Sequence, residues 1–447
     1  MDSPLSERTL SRSILARPAG ADCLALSPAG RLGAGRARAL GPAPQIAPEM
    51  TVAVSVADGL ALLETLIALD GQVAGLLLVS AAAGPGVVAG LAAAAGAAAV
   101  ISDRGDLDGA LPPAAALGPA GPPRTATTWM MTTSGTTGLP KIVPHTLQSL
   151  ARSVRRDPLA RAPVWGMVYE MTRFAGLQVA LQSLIGGGTL ALAPRQAPLA
   201  EQIGFLAASG VTHLSATPTL WRRLLMAPGA AALPLRQATM GGEIADQAVL
   251  DAAARQFPQA RLTHIYASTE AGVGFAVNDR RAGFPLAYAE DAPGGTGIRI
   301  RDGLLWLRPP GGRVARYLGG QALETDADGY VNTGDRLEVA GDRAVFLGRD
   351  SGVVNIGGVK VHPERVEHVI AAVDGVGLAA VSSKKSPITG ALLVATVVPA
   401  DPQADRGALK ARILEACRGN LEREAVPARI AFADTLETNA AGKIARL

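Results

Sequence analysis

Between Met131 and Lys141 the chain reads Met-Thr-Thr-Ser-Gly-Thr-Thr-Gly-Leu-Pro-Lys. Five hydroxyl side chains (Thr132, Thr133, Ser134, Thr136, Thr137) and two glycines (Gly135, Gly138) fall within seven positions, and a lysine closes the run. Glycine lets backbone N–H groups approach an anion closely, hydroxyls add donors, and an ammonium adds a point charge. These are the parts of a phosphate cradle; a plain polar turn is the alternative. Lys141 is one of only six lysines among 42 basic residues, so a lysine here departs from the chain's habit of using arginine. A Walker A loop is excluded, because it needs G-x-x-x-x-G-K-[ST]. Here Gly135 and Gly138 are separated by two residues, Pro140 precedes the lysine and Ile142 follows it. A GTPase or motor-type ATPase is therefore disfavoured, although a triphosphate ligand is not.

Other chemistry is excluded by composition. The five histidines show no metal-ligand spacing, and Cys23 and Cys417 are too far apart to suggest a disulfide framework or thiolate cluster. His145 follows the cradle closely enough for a role at the ligand, or for local packing. The net charge of +4 invites a nucleic-acid reading, but the arginines are interleaved with acids and aromatics are only 4%. Nucleic-acid binding is not expected. With 48% hydrophobic and 18% charged residues the chain is globular. Its Gly and Pro show no collagen period. No secretory signal is visible in Met1–Arg12, and a cytoplasmic location is expected.

The elements that position the cradle follow from apolar patterning. From Asp70 to Asp103 no charge occurs, a stretch long enough to span a membrane. Its Ala/Gly content, broken by Ser80 and Gly84-Pro85-Gly86, instead predicts a strand over 76–79, a turn, a helix over 87–98 and a strand over 99–101. Runs apolar on all sides suit α/β layers with both sheet faces covered. The βαβ rhythm predicts a parallel sheet up to about residue 125, a strand over 125–131 leading into the cradle, and alternating strands and helices on to about 345. Residues from about 345 onward read as a small separate α+β unit, with a proline-started helix over 363–373 and an exposed turn at Lys384-Lys385. The fold class expected is α/β: a large N-terminal domain of layered subdomains (1–348) and a small mobile C-terminal domain (349–447), with a hinge near 350–352.

Thr133-Ser-Gly-Thr-Thr-Gly-Leu-Pro-Lys141 resembles the phosphate loop of the adenylate-forming superfamily: acyl- and aryl-CoA ligases, stand-alone adenylation domains and luciferases. Four further motifs occur in the family's order. Tyr266-Ala-Ser-Thr-Glu-Ala-Gly272 is similar to its Y-x-S-T-E segment, and Tyr330-Val-Asn-Thr-Gly-Asp335 to its Y-x-T-G-D. Gly348-Arg349 followed by Val354-Asn-Ile-Gly-Gly-Val-Lys360 resembles its hinge and first C-terminal strands. Asn439-Ala-Ala-Gly-Lys443-Ile-Ala-Arg446 resembles its C-terminal N-x-x-G-K-[IV]-x-R.

The resemblance implies a two-step reaction. A small-molecule carboxylic acid attacks the α-phosphorus of ATP, pyrophosphate leaves, and the acyl-adenylate passes its acyl group to a thiol. By position, Thr133, Ser134, Gly135, Thr136, Thr137, Gly138 and Lys141 would hold the β- and γ-phosphates. Thr269 would touch the α-phosphate, and Glu270 would ligate Mg²⁺ unless it is only a surface acid. Asp335 would accept from both ribose hydroxyls, since only an ionised acceptor pairs with two O–H donors. Arg349 would add a ribose-side donor and Tyr266 would stack on adenine. Gly241-Gly242-Glu243 would lie beside adenine, or form a generic helix-start turn. Lys443 would reach the α-phosphate and the acid's carboxylate, or be a solvated tail residue. Gly358 and Lys360 would face the thiol after rotation of the small domain.

Three departures bear on function. Where the family's hinge carries two acids, this chain has Ser351 and Gly352. The first subdomain is short, and the H-x-x-G segment of many CoA ligases reads Arg173-Phe-Ala-Gly176. Arg173 either meets an acidic or polar group of the substrate or bonds a neighbouring loop; Gly176 and His213 complete the expected acyl-side set. Val168-Tyr-Glu-Met171 does not match the amine-binding segment of amino-acid-activating domains, which favours a plain carboxylic acid. The thiol acceptor is expected to be CoA. Alternatives are the phosphopantetheine of a carrier protein acting in trans, since no carrier domain follows Leu447, and a silent nucleotide-binding subunit.

Overall fold

The computed structural model describes residues 9–16, 22–133, 139–155, 162–311, 317–319, 323–386 and 389–437. The apolar runs at 51–55 and 75–78 form adjacent parallel strands of a five-stranded sheet. Its order is Ala97–Ser102, Thr51–Ser55, Gly75–Leu78, Thr128–Thr132, Ile142–His145. Val52, Ala53, Val54, Leu76, Leu77 and Leu78 are fully buried, as expected of strands covered on both faces. The expected turn at Gly84-Pro85-Gly86 is instead the start of the helix Pro85–Ala94. Proline at the first helical position has a suitable φ and needs no N–H partner there. Only the last pair of this sheet is antiparallel, Trp129 opposite His145, so the chain turns back on itself through the cradle.

A second sheet of eight strands runs in the order Gly272–Val277, Arg261–Ser268, Gln237–Gly241, His213–Ala216, Val164–Met167, Thr189–Leu192, Cys23–Ser27, Gly30–Gly33. Its inner pairs are parallel and both edge pairs antiparallel. Helices Phe174–Gly186, Leu199–Ala208, Pro218–Met226 and Gln247–Gln256 connect its strands. In such sheets ligands bind outside the carboxyl ends of the strands.

Residues 284–349 depart from the expected alternation. They form a five-stranded antiparallel sheet in the order Phe284–Pro285, Arg343–Arg349, Val331–Ala340, Leu304–Arg308, Gly297–Arg301, with no α-helix among the described residues. The local reason is hairpin chemistry. Between Gly297–Arg301 and Leu304–Arg308 lie Asp302 (φ 53°) and Gly303 (φ 71°), a two-residue Asp-Gly turn whose positive φ values match the strands' twist.

Beyond Asp350 a separate hydrophobic cluster draws its buried members from Ile356 to Ile430. It joins the ribbon Val354–Ile356/Val359–Val361 to a three-stranded sheet (Val376–Ser386, Gly390–Pro399, Arg429–Phe432) and to helices Pro363–Ala371 and Arg406–Asn420. Lys384 and Lys385 are exposed but lie on a strand, not in a turn. The hairpin continues past its core-facing residues, which keeps both ammonium groups in water. Among the described residues no helix is long and apolar enough to cross a membrane.

Candidate active site

The cradle's two ends are tied together: the N–H of Thr133 donates to the carbonyl of Lys141 at 2.9 Å. Ser134, Gly135, Thr136, Thr137 and Gly138 lie outside the described residues, as do Lys443 and its motif. Lys141 is exposed where the chain enters Ile142–His145. Its Nζ sits 4.5 Å from the ring centroid of Tyr317. The Tyr317 hydroxyl donates to Glu270 Oε1 at 2.9 Å. Burial, and then the Glu270 charge, raise the Tyr317 phenol above its ordinary value, so it remains a neutral donor.

Glu270 lies in the turn between Arg261–Ser268 and Gly272–Val277. His145 fixes that turn: its Nε2 is 2.8 Å from the carbonyl oxygen of Thr269. Desolvation lowers the His145 pKa. The ring is therefore neutral, with Nε2–H as donor to the carbonyl. His145 thus joins the strand leaving the cradle to the turn carrying Thr269 and Glu270, a positioning role rather than contact with ligand.

The ribose-side set is also assembled. Tyr266 ends in a hydroxyl that donates to Asp335 Oδ2. Arg349 Nε pairs with Asp335 Oδ1 at 2.9 Å, and its Nη1 donates to the carbonyl of Thr333 at 2.8 Å. Asp335 and Arg349 are register partners on neighbouring strands. The Tyr266 ring stacks with Phe275 and Phe346, each at 5.3 Å and within 11° of parallel. The ring thus packs among protein aromatics while its hydroxyl orients the Asp335 carboxylate. Oδ1 and Oδ2 each meet a donor, and a carboxylate oxygen accepts more than one.

Gly242 adopts φ 83°, which favours glycine, directly after the strand Gln237–Gly241. Glu243 is used structurally: its Oε2 accepts from the N–H of Thr219 at 3.0 Å, in the first turn of Pro218–Met226. A carboxylate at a helix start complements both the open N–H groups and the dipole.

The acyl-side residues divide. Arg173 immediately precedes the helix Phe174–Gly186, and its Nε lies 3.5 Å from Glu170 Oε2. Both atoms are buried without a hydrogen-bond partner. The other Glu170 oxygen accepts from the N–H of Ala81, which links the two parallel sheets at their carboxyl ends. Gly176 has a packing reason: a Cβ there would meet the carbonyl oxygen of Glu170 at 2.2 Å. His213 is not brought to the crevice. It opens the strand His213–Ala216, at the end away from Thr217, with its ring 4.8 Å from Trp165 and its Nδ1 2.9 Å from Thr212 Oγ1. Burial lowers its pKa to about 4. In the small unit Gly358 has φ 95°, and a Cβ built on it would meet no atom within 4 Å; Lys360 is exposed and paired in register with Asn355.

A divalent cation fits this set in one way. Among the described residues no three His, Cys, Asp or Glu side chains cluster to cage a metal. A lone carboxylate, Glu270, therefore suits Mg²⁺ held chiefly by substrate phosphates and water. Tyr317 and Glu170 were not anticipated from sequence. Tyr317 belongs to no quoted motif, and Glu170 was read only as failing to match an amine-binding segment.

Two largely parallel sheets, with Thr133 and Lys141 at the ends of a Ser/Thr/Gly segment, Glu270 in the facing turn and Asp335 beside Arg349, match the arrangement expected of an adenylate-forming architecture. The chain belongs to the AMP-binding enzyme family: the model of the AMP-binding enzyme matches residues 85–304, and that of its C-terminal domain residues 365–443. It is 29% identical over 335 residues to the 2-succinylbenzoate–CoA ligase of Listeria innocua, covering 71% of this chain and 68% of that one. It is 29% identical over 355 residues to the probable non-canonical nonribosomal peptide synthetase CymA of Salinispora arenicola, covering 72% of this chain but only 4% of that much longer protein. The structure of the anthranilate CoA ligase AuaEII with anthranoyl-AMP superposes with a TM-score of 0.78 at 17% identity, over 99% of this chain and 96% of that one; the likeness is one of fold.

Proposed function

We propose that the protein is an ATP- and Mg²⁺-dependent acid–thiol ligase that activates a small carboxylic acid as its acyl-adenylate and transfers the acyl group to CoA. The observation that carries this reading is the contiguity of the site. Lys141, Tyr317 and Glu270 form one chain of contacts, Tyr266, Asp335 and Arg349 another, and the Arg349 charge acts on Tyr317. This contiguity supports a shared site for the triphosphate and the ribose.

The chain's own residues supply most of the first half-reaction. Thr133 and Lys141 meet the β- and γ-phosphates, with Ser134–Gly138 between them. Thr269 meets the α-phosphate, and Asp335 and Arg349 hold the ribose. Glu270 would hold Mg²⁺, which when bound would supply charge neutralisation at the phosphate oxygens. Lys443 completes the set by meeting the charge that develops as the carboxylate attacks; loss of one such oriented donor costs roughly 10²–10³ in rate. The second half-reaction uses the small unit. The division at 348/349, with Asp350–Gly352 as hinge, lets Lys443 withdraw and the Gly358–Lys360 strand approach the thiol. Gly352 provides the backbone freedom for that rotation. A carrier-protein phosphopantetheine offers the same arm as CoA and is the second acceptor. Arg173 gives the acyl side a half-buried positive group, which suits an acid bearing a second polar or anionic group.

The test is pyrophosphate release and hydroxylamine trapping over a panel of carboxylic acids, with and without CoA. At least one acid should drive pyrophosphate release, and CoA supplied in place of hydroxylamine should take the acyl group from the adenylate as a thioester, releasing AMP. ATP hydrolysis independent of every acid, or no turnover at all, refutes the ligase reading.

A further inference from the structure

We infer that Tyr317 is a positioning residue that holds Lys141 and Glu270 apart and aimed, the lysine toward phosphate and the carboxylate toward a divalent cation. The inference rests on the ATP-dependent reading above and assigns a part to a residue outside every motif that led to it.

The geometry is specific. One face of the Tyr317 ring carries the Lys141 ammonium at 4.5 Å, and the hydroxyl of the same ring donates to Glu270 at 2.9 Å. The ring's place is set by backbone: the N–H of Leu318 donates to the carbonyl of Ile142 at 2.8 Å, one residue beyond Lys141. The partner turn is set by His145, which bonds the carbonyl of Thr269. Two fixed backbones therefore meet at a single phenol.

Consider the site without that phenol. A lysine and a glutamate on facing segments attract each other, and the Lys141 side chain is long and flexible. A direct ion pair would occupy the ammonium needed by phosphate and the carboxylate needed by the cation. A flat ring separates them while satisfying each: its π face attracts the cation, and its O–H satisfies one carboxylate oxygen. The second Glu270 oxygen has no hydrogen-bond partner among the described residues. A phenol that donates to a carboxylate also carries more electron density on its ring. The two contacts therefore reinforce each other, and a cation that draws on Glu270 loosens the hold on Lys141. Phosphate and metal binding are coupled through one side chain.

The experiment uses the full chain with two substitutions that separate the two contacts. Tyr317→Phe keeps the ring and removes the hydroxyl; Tyr317→Leu removes both. Calorimetric titrations measure AMP binding, ATP binding without Mg²⁺, and the Mg²⁺ concentration that gives half-maximal enhancement of ATP binding. AMP lacks the β- and γ-phosphates and reports on the ribose side alone. For Tyr317→Phe we expect unchanged AMP affinity, unchanged metal-free ATP affinity and a roughly tenfold higher Mg²⁺ requirement, the scale of one hydrogen bond to a charged group. For Tyr317→Leu the Mg²⁺ requirement rises likewise, and metal-free ATP affinity also falls about fivefold as the cation–π contact is lost. Wild-type Mg²⁺ dependence in both variants overturns the inference, as does a loss of AMP binding that parallels the loss of ATP binding. Failure of the wild-type chain to bind either nucleotide overturns instead the ATP-dependent reading on which it rests.

Discussion

Replacing Asp335 by asparagine tests the ribose side most directly. In the native site Oδ2 accepts the Tyr266 hydroxyl and Oδ1 pairs with Arg349 Nε at 2.9 Å. The Asp335 side chain is 14% exposed, whereas that of Arg349 is 59% exposed. The ion pair is therefore largely solvated and contributes about 1 kcal/mol or less. The substantial loss is acceptor capacity. A carboxylate presents two anionic oxygens; an amide presents one neutral oxygen and an NH₂ that donates. If the amide oxygen keeps the Tyr266 bond, its NH₂ faces the Arg349 N–H and the ribose hydroxyls with no lone pair to offer. One charge-assisted bond to the ligand disappears and the other becomes neutral, a cost of about 2–3 kcal/mol. That corresponds to an AMP Kd raised roughly 30- to 160-fold. Calorimetry with AMP reads this without contributions from Lys141 or Glu270, and Arg349→Ala should change the same Kd by less than about fivefold. Binding of AMP to Asp335→Asn as tightly as to the wild type refutes the reasoning.

Gly176→Ala forces a Cβ to within 2.2 Å of the Glu170 carbonyl oxygen, so a denaturant titration should show a loss of about 1–3 kcal/mol; an unchanged midpoint would show that the 170–176 turn yields freely. Arg173→Ala should raise KM for the acid roughly tenfold or more while leaving KM for ATP alone, and an unaltered acid KM removes Arg173 from the substrate pocket. The half-buried ring of His213 binds protons only near pH 4 when folded, against about 6.5 when unfolded. Between those values the unfolded chain holds more protons, so this group's contribution falls as pH is lowered through the window. His213→Asn should therefore lose less stability than the wild type between neutral pH and about pH 5, and parallel pH profiles would refute that assignment. The catalytic assays at neutral pH should be indifferent to this substitution, because His213 sits at the far end of its strand.

Much of the site was legible because its chemistry lies in short contiguous segments. A phosphate cradle needs glycines, hydroxyls and a cation within one turn of chain, so Thr133 and Lys141 announce themselves in sequence. The Asp-Gly turn at 302–303 was equally local, yet its consequence, an all-antiparallel sheet over 284–349, was missed, since strand partners are chosen by the whole sheet. Pairings across long separations left no local trace. Tyr317 meets Glu270 and Lys141, and Glu170 meets Ala81, only after the layers close.

The same distinction separates residue type from residue role. Sequence alone determined the α/β class, the order of the motifs and which side chains can carry charge to a phosphate or a ribose. Tertiary structure decided what each does. It turned Glu243 into a helix cap, His145 into the anchor of the Thr269 turn, Gly176 into a packing necessity and His213 into a half-buried ring beside Trp165 at the opening of its strand. Side-chain identity fixes which interactions are possible. Which one forms depends on the partner that the fold delivers within about 3 Å, and on how much water the fold removes.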